Sequence, residues 1–334
     1  SASVMVRAGG VADPRGQAGL ADLCAELLTK GVTRNGREVP APELAREAEA
    51  LGGALGSGGG WRSSSVGMTV VTRNAEPMLA LLADVVQRPT LAQAELERSR
   101  TQAADALRVA MQSPGGVAGR VARRLHWGAS PYGAAVTAGS LSRIRRADVQ
   151  RFHAAHFRPS DALLVLCGDI DADAGLALAQ RHFGGWRAVS GATHGVAGGA
   201  AAQPLAPSRV LVDLPGSGQL AVVLAAPFAP LGDDAALPVG RVLNAVLGAG
   251  YTSRLSQEIR IKRGLSYDVS SAPEQFPQGG MWSAASQTKP ASAAEVAALM
   301  QEQIARIRSE PVGTDELAAR QSMLIDGFAS RHAT

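Results

Sequence analysis

Residues 189–207 carry no hydrophobic period, neither the 3.6 of a helix nor the 2 of a strand. The text within them, SGATHGVAGGAAAQPLAP, is rich in Gly, Ala and Pro, the composition of a connector between folded bodies. It divides the 334 residues into an amino-terminal half, 1–188, and a carboxy-terminal half, 208–334, each long enough to bury a core. On both sides strands and helices come in clusters. That grouping selects an α+β class, in which a sheet packs against helices. The order after the connector partly repeats the order before it, so the halves read as structural repeats. The second is expected to be incomplete at its carboxyl end, because the text stops inside the helical pattern SMLIDGFASRHAT.

The first half opens on a strand, SVMVRAGG. Residues 16–30 repeat apolar positions at Leu20, Leu23, Leu27 and Leu28, the stripe of one helix face, with Gly31 as its stop. PAPELAREAEALGG (40–53) is a second helix between prolines and glycines. GSGGG (56–60) reads as a flexible bend before the Val/Thr-rich strand WRSSSVGMTVVTR. Residues 75–87 and 91–111 are helices around the Arg88-Pro89 break, followed by a short helix to His126, the loop WGASPYG and a helix near 143–157. DALLVLCGDI (161–170) reads as a buried strand and DADAGLALAQRHFGGW as a helix. In the second half, SRVLVDLPGSGQLAVVLAAP predicts two strands about a Gly turn. Helices are expected at 234–248, 252–262, 292–309 and 314–330, and strands at LSYDVSSAP and GGMWSAASQT.

Composition excludes several function classes. With 46 % hydrophobic residues and no apolar run of the ~18 residues a span needs, nothing reads as a transmembrane helix. No signal peptide is visible, and since the text starts without Met, its beginning is read as processed or trimmed. The net charge of +4 comes from scattered arginines without interleaved aromatics. A nucleic-acid partner is therefore not expected, and the densest cluster, RIRR at 143–146, reads as a solvated face. Cys24 and Cys167 read as buried small hydrophobes. His153 and His156, one turn apart, and His182 have no third donor spaced to complete a metal site. Neither GSGGG nor Gly248-Ala249-Gly250 carries the Lys of a phosphate loop.

One helix bears on chemistry. In GLADLCAELLTKG (19–31), Asp22 and Glu26 stand four residues apart, the spacing at which a zinc-binding helix places two ligands on one face. Zinc hydrolases usually include histidine, and position 25, between the two acids, is Ala rather than a general base. On residues alone, two solvated acids are the plain reading.

The stretch nevertheless resembles the signature of the pitrilysin/insulinase (M16) metallopeptidases, GLAHFLEHMLFKG, with its inverted motif HxxEH. Laid on this chain, the two histidine positions are Asp22 and Glu26, and the catalytic glutamate is Ala25. The family's third ligand, a Glu in a pattern like ERxxVLEEI, falls at Ala106 of ELERSRTQAADALR. All four positions are replaced, so the resemblance implies a degenerate motif that binds no metal. ALGGALGSGGGWRSSSVGMTVV is similar to the family's VGGxLNAxTxxDxTxYxxxV, whose edge strand pairs with extended substrate in active members; Trp61 and Arg62 depart from it. SPYG and LLVLCGDID resemble HPYG and NMxLVVVGDID. In the second half, LNAVLGAGYTSRLSQEIRIKRGLSYDVSS follows LGGGMSSRLFxxIREKxGLAYSVYS without a gap. In active members an Arg and a Tyr of this last motif reach the zinc site of the other half or subunit, hold the substrate backbone and stabilise the oxyanion. The matching residues are Arg260 and Tyr267. Without the resemblance, Arg260 would be a last-turn helix cation and Tyr267 a core residue of a strand.

The resemblance thus implies two homologous LuxS/MPP-like metallohydrolase domains, each a mainly antiparallel sheet against helices. It implies an M16B-type, non-catalytic subunit of a heterodimeric zinc peptidase. Its partner would be a homologous HxxEH subunit that holds the zinc, and its substrates would be peptides. A structural role like that of the peptidase-derived cytochrome bc1 core subunits is the alternative, and a self-sufficient peptidase using Asp22 and Glu26 is the third reading. Family habit alone favours a bacterial periplasm over cytoplasm.

Overall fold

A computed structural model describes residues 1–188 and 208–332; the expected connector, 189–207, lies outside the described residues. Along the chain, β1 (Ala2–Val6) leads to α1 (Leu20–Leu27), the hairpin β2 (Gly31–Arg34) and β3 (Arg37–Pro40), and α2 (Ala41–Ala50). β4 (Gly56–Gly59) and β5 (Ser64–Met68) precede five helices: α3 (Ala75–Gln87), α4 (Gln93–Ala110), α5 (Pro114–Trp127), α6 (Ala138–Arg143) and α7 (Arg146–His156). Then come β6 (Ala162–Leu166), α8 (Ala172–Phe183), β7 (Leu220–Phe228) and α9 (Ala236–Leu247). A π-helical turn (Ser256–Ile261), β8 (Val269–Phe276), β9 (Gly279–Thr288), α10 (Ala293–Ser309) and α11 (Thr314–His332) complete the order.

Several helix starts are written in local chemistry. Ser113 caps α5 by accepting from the Gly116 amide, with Pro114 in the first turn. Asp171 caps α8, accepting from Asp173 N at 2.9 Å and Ala174 N at 3.2 Å.

Two compact units result. The first joins Ser1–Leu107 with the described residues from Ala134 to 188; the second joins Arg108–Gly133 with the described residues from 208 onward. Residues 108–133, which the sequence reading placed in the amino-terminal half, therefore pack with the second unit. There Tyr132 stacks on Phe276 at 3.8 Å and donates to Gln278 at 2.8 Å, while His126 Nε2 lies 3.0 Å from the Gly280 carbonyl.

In the first unit a four-stranded antiparallel sheet runs β4-β5-β1-β6, with Val4 opposite Val66 and Leu164. Ala2, Val4, Val6, Val66 and Met68 share one face and pack with the leucines of α1 and α3 in one core. The expected stripe of Leu20, Leu23, Leu27 and Leu28 is fully inside, each residue contributing roughly 1.5–3 kcal/mol by burial. The second unit is a three-stranded antiparallel sheet, β7-β9-β8, whose core holds Leu247, Leu255, Ile259, Val269, Ala284, Val296, Leu299 and Met300. The α+β class, antiparallel sheets against helices, is what both units show.

The structure also corrects several local expectations. GSGG is not a bend: Gly56–Gly59 is itself the edge strand, with Ser57 opposite Val66. Gly31 does not close α1, which ends at Leu27; with φ 132° it opens β2. β6 is an edge strand rather than a buried one, and Leu163 (58 % exposed) and Val165 face water because no described residue covers the outer face of the sheet there. Cys167, just past its end, is exposed, whereas Cys24 is buried as expected. Residues 208–214 pair with no strand among the described residues, and Leu211 is 88 % exposed; of the two strands expected there only β7 forms. Residues 256–261 wind as a π-helix, not an α-helix.

Candidate functional site

The first candidate lies on α1. Its N-terminus is capped not by the flanking Gly19 but by Asp13, whose carboxylate accepts from Gly19 N at 2.7 Å and Ala21 N at 2.8 Å. Burial pushes the Asp13 carboxyl up to about 7 against these bonds, with the nearby Asp22 charge adding to the rise. Sequence reading missed Asp13. The signal available was an acid seven residues ahead of the first residue of an uncapped helix.

Asp22 leaves its far side in water and lies against β4 on the other. A Cβ on Gly59 would stand 2.3 Å from Asp22 Oδ1 and 3.1 Å from its Cα, so only bare backbone passes there. Desolvation raises the Asp22 carboxyl above its ordinary value. Ala25 is fully buried and offers only a methyl. Glu26 is engaged elsewhere: Ser99 Oγ of α4 donates to it at 2.7 Å, and Lys30 Nζ lies 3.9 Å away. Ala106 is an exposed methyl about two helical turns beyond the buried Ser99.

These residues do not fit zinc. No imidazole stands among them, one of the two carboxylates is held by a hydroxyl, and the base position cannot take a proton. Among the described residues no group of three or more His, Cys, Asp and Glu is arranged to hold a metal. The histidines have packing roles. Nε2 of His153 sits 2.8 Å from the Val86 carbonyl, its ring stacks on Phe157 at 4.8 Å, and burial lowers its pKa; the His156 ring tilts against Phe152 at 4.6 Å.

The second candidate lies in the second unit. The π-turn is closed by bonds such as Lys262 N to Gln257 O at 2.9 Å. It points Leu255 and Ile259 into the core and leaves Arg260 at the surface. Tyr267 is not a core residue of a strand. It precedes β8, beside Ser266, whose hydroxyl donates to the Asp268 and Gln287 carbonyls at 2.7 Å each. Ser266 turns inward, so its neighbour turns out, and Tyr267 is 84 % exposed. The structure brings the expected pair together: the Arg260 guanidinium carbon lies 4.4 Å from the centre of the Tyr267 ring.

A third ring, which sequence reading did not single out, joins them. Tyr251, on the loop after α9, lies 4.9 Å from the same guanidinium carbon and is 59 % exposed. Its loop is pinned. Arg320 donates to Thr252 Oγ1 at 2.8 Å and to its carbonyl at 2.5 Å, and Arg254 holds Glu316 through two bonds of 3.0 and 2.7 Å. That fork depresses the Glu316 carboxyl below its ordinary range. The neighbouring cations Lys262 and Arg263 are both spent on Glu258. Among the described residues no carboxylate pairs with Arg260, so its N–H rim remains available for an acceptor outside the chain.

Both halves of the chain are similar to known proteins. Residues 1–129 match the family described as Insulinase (Peptidase family M16), and residues 143–324 match the Peptidase M16 inactive domain. An uncharacterised zinc protease of Mycobacterium leprae is 26 % identical over 322 residues, covering 93 % of this chain and 69 % of the relative. One from Mycobacterium tuberculosis is 28 % identical over 275 residues, covering 79 % of this chain and 59 % of the relative. The chain thus spans about six- to seven-tenths of the length of these relatives. The crystal structure of a peptidase M16 inactive domain from Pseudomonas fluorescens superposes with TM-score 0.83 at 24 % identity, over 98 % of this chain and 78 % of that one. A protease from Helicobacter pylori gives 0.86 at 18 %, over 100 % and 80 %. The periplasmic protease PqqL from Escherichia coli gives 0.76 at 18 %, over 100 % of this chain and 36 % of that one. Matched across both its halves, the chain belongs to peptidase family M16.

Proposed function

We propose that this chain is the zinc-free member of a two-chain M16 peptidase, built of two homologous domains. The metal and its chemistry belong to a homologous HxxEH partner. This chain helps close the chamber, and it donates Arg260 and Tyr267 to the substrate at the partner's site. The Arg260 fork donates N–H groups to backbone carbonyls of an extended peptide. The Tyr267 hydroxyl donates to the oxygen that gains charge as the scissile carbonyl becomes tetrahedral. The carrying observation is the half-buried Arg260, paired with no carboxylate among the described residues, whose guanidinium lies over the exposed Tyr267 ring. The match of residues 143–324 to an M16 inactive domain supports the reading, as do relatives named zinc proteases. The replaced positions Asp22, Ala25, Glu26 and Ala106 leave the first unit with no metal of its own to serve. The likeness to a periplasmic protease supports a periplasmic site of action, and among the described residues no helix is long and apolar enough to cross a membrane.

The test is reconstitution. The purified chain, desalted after exposure to zinc, should retain no stoichiometric metal and cleave no peptide. Mixed with an HxxEH homologue it should hydrolyse a blocked fluorogenic peptide, and a chelator should abolish the rate. Stoichiometric zinc on the lone chain would overturn the degenerate-site reading. A mixture no faster than the homologue alone would favour the structural, bc1-core-like role instead.

A further inference from the structure

The proposed pair makes two demands on one aromatic ring. Tyr267 must present its hydroxyl to a reacting carbonyl, and its ring is also the surface on which Arg260 rests, 4.4 Å away. A half-buried arginine on a π-turn, seated only on a ring that must itself meet substrate, would have its fork placed by whatever that ring does. Tyr251 supplies a second seat from an independent anchor. It is presented by a loop that Arg320 ties down at Thr252, with bonds of 2.8 and 2.5 Å, and that α11 braces through the Arg254–Glu316 pair. The other side of the turn is held as well: the Ser271 amide donates to the Gly248 carbonyl at 3.0 Å, and the Ser271 hydroxyl donates to Asn244 Oδ1 at 2.7 Å. Tyr251 is itself 59 % exposed, so its ring is not placed there by core packing. A guanidinium stacked on aromatic faces keeps its N–H groups free in its own plane, which is where a peptide carbonyl must approach.

We propose that Tyr251 is a positioning residue for Arg260: its ring, 4.9 Å from the guanidinium carbon, fixes the direction of the fork toward a substrate backbone carbonyl. The ring carries the effect and the hydroxyl does not. This inference rests on Arg260 being donated to a partner's site, and the experiment separates the two ideas.

Tyr251→Phe, Tyr251→Leu and Arg260→Ala are each mixed with the zinc-bearing homologue and assayed on a blocked fluorogenic peptide. Tyr251→Phe is expected to match the parent. Tyr251→Leu is expected to raise KM about 2- to 5-fold, the span of one cation–π contact at an exposed site, with kcat held. Arg260→Lys, a cation that stacks less well, is expected to cost less in the Tyr251→Leu background than in the parent. An unchanged KM in Tyr251→Leu overturns the proposal, as does a loss in Tyr251→Phe equal to that in Tyr251→Leu. If Arg260→Ala is also silent, the donated pair has failed; if Arg260→Ala is damaging and Tyr251→Leu silent, only the positioning role has. The isolated chain gives a reading that needs no partner. The Arg260 side-chain N–H resonance, shifted upfield by the rings, should move downfield in Tyr251→Leu but not in Tyr251→Phe, and an unmoved resonance in Tyr251→Leu contradicts the proposal.

Discussion

On α1 the groups at the metal-ligand and base positions are taken up by, or lie against, the first unit's own packing. Glu26 takes the Ser99 hydroxyl, Asp22 is pressed by the backbone of β4, and Ala25 is sealed in the core. Around the π-turn the opposite holds. Leu255 and Ile259 belong to the core, yet Arg260 is matched by no carboxylate among the described residues and lies over two tyrosine rings in water. An uncompensated cation and two exposed aromatics add little to a lone domain, since exposed cation–π contacts contribute only about 0.5–1 kcal/mol each. Local packing explains the residues of α1. It does not explain those of the π-turn, which make sense once something outside the chain is to be gripped.

The comparison can be pressed hardest at Tyr267. If it donates to a developing oxyanion, Tyr267→Phe should lower kcat of the reconstituted peptidase by about 100-fold, while the melting temperature of the chain stays put because the hydroxyl lies in water. A loss of stability with no loss of rate would make the π-turn another packed element, like α1. The complementary test is Gly59→Ala. The added methyl meets Asp22 backbone as well as its carboxylate, so the first unit should lose about 1–3 kcal/mol in denaturant unfolding. An unchanged midpoint would mean that β4 does not lie against α1.

The smallest effect expected is on pH dependence. Asp13 has a folded pKa of about 7, above the 3.8 of a free Asp. Its contribution to stability is therefore fully present below about 3.8 and is lost as pH rises through 7. Relative to Asp13→Asn, the parent should be about 1–2 kcal/mol less stable at pH 8 than at pH 5. A difference between the two proteins that does not change with pH would remove the buried charge from the account of α1.

Much of this was legible before any coordinates. The leucine stripe of α1 and the gapless motif around Arg260 and Tyr267 are local signals, and periodicity and spacing carry local information well. What escaped was set by tertiary approach. GSGG has poor strand propensity and is a strand because residues without side chains can pass over Asp22. DALLVL reads as buried by composition, but it falls at a sheet edge, and edge position is a property of topology. Asp13 caps α1 across a loop, which no capping box describes. Tyr251 joins Arg260 only because the chain turns back on itself between α9 and the π-turn.

The most direct measurement is kcat/KM for a blocked peptide in the reconstituted mixture, with the parent chain and with Arg260→Ala, each checked for an unchanged melting curve. Donation of this side chain to a partner's site predicts a fall of about 100-fold. A rate equal to that of the parent, in a mixture that still needs this chain to be active, would contradict it.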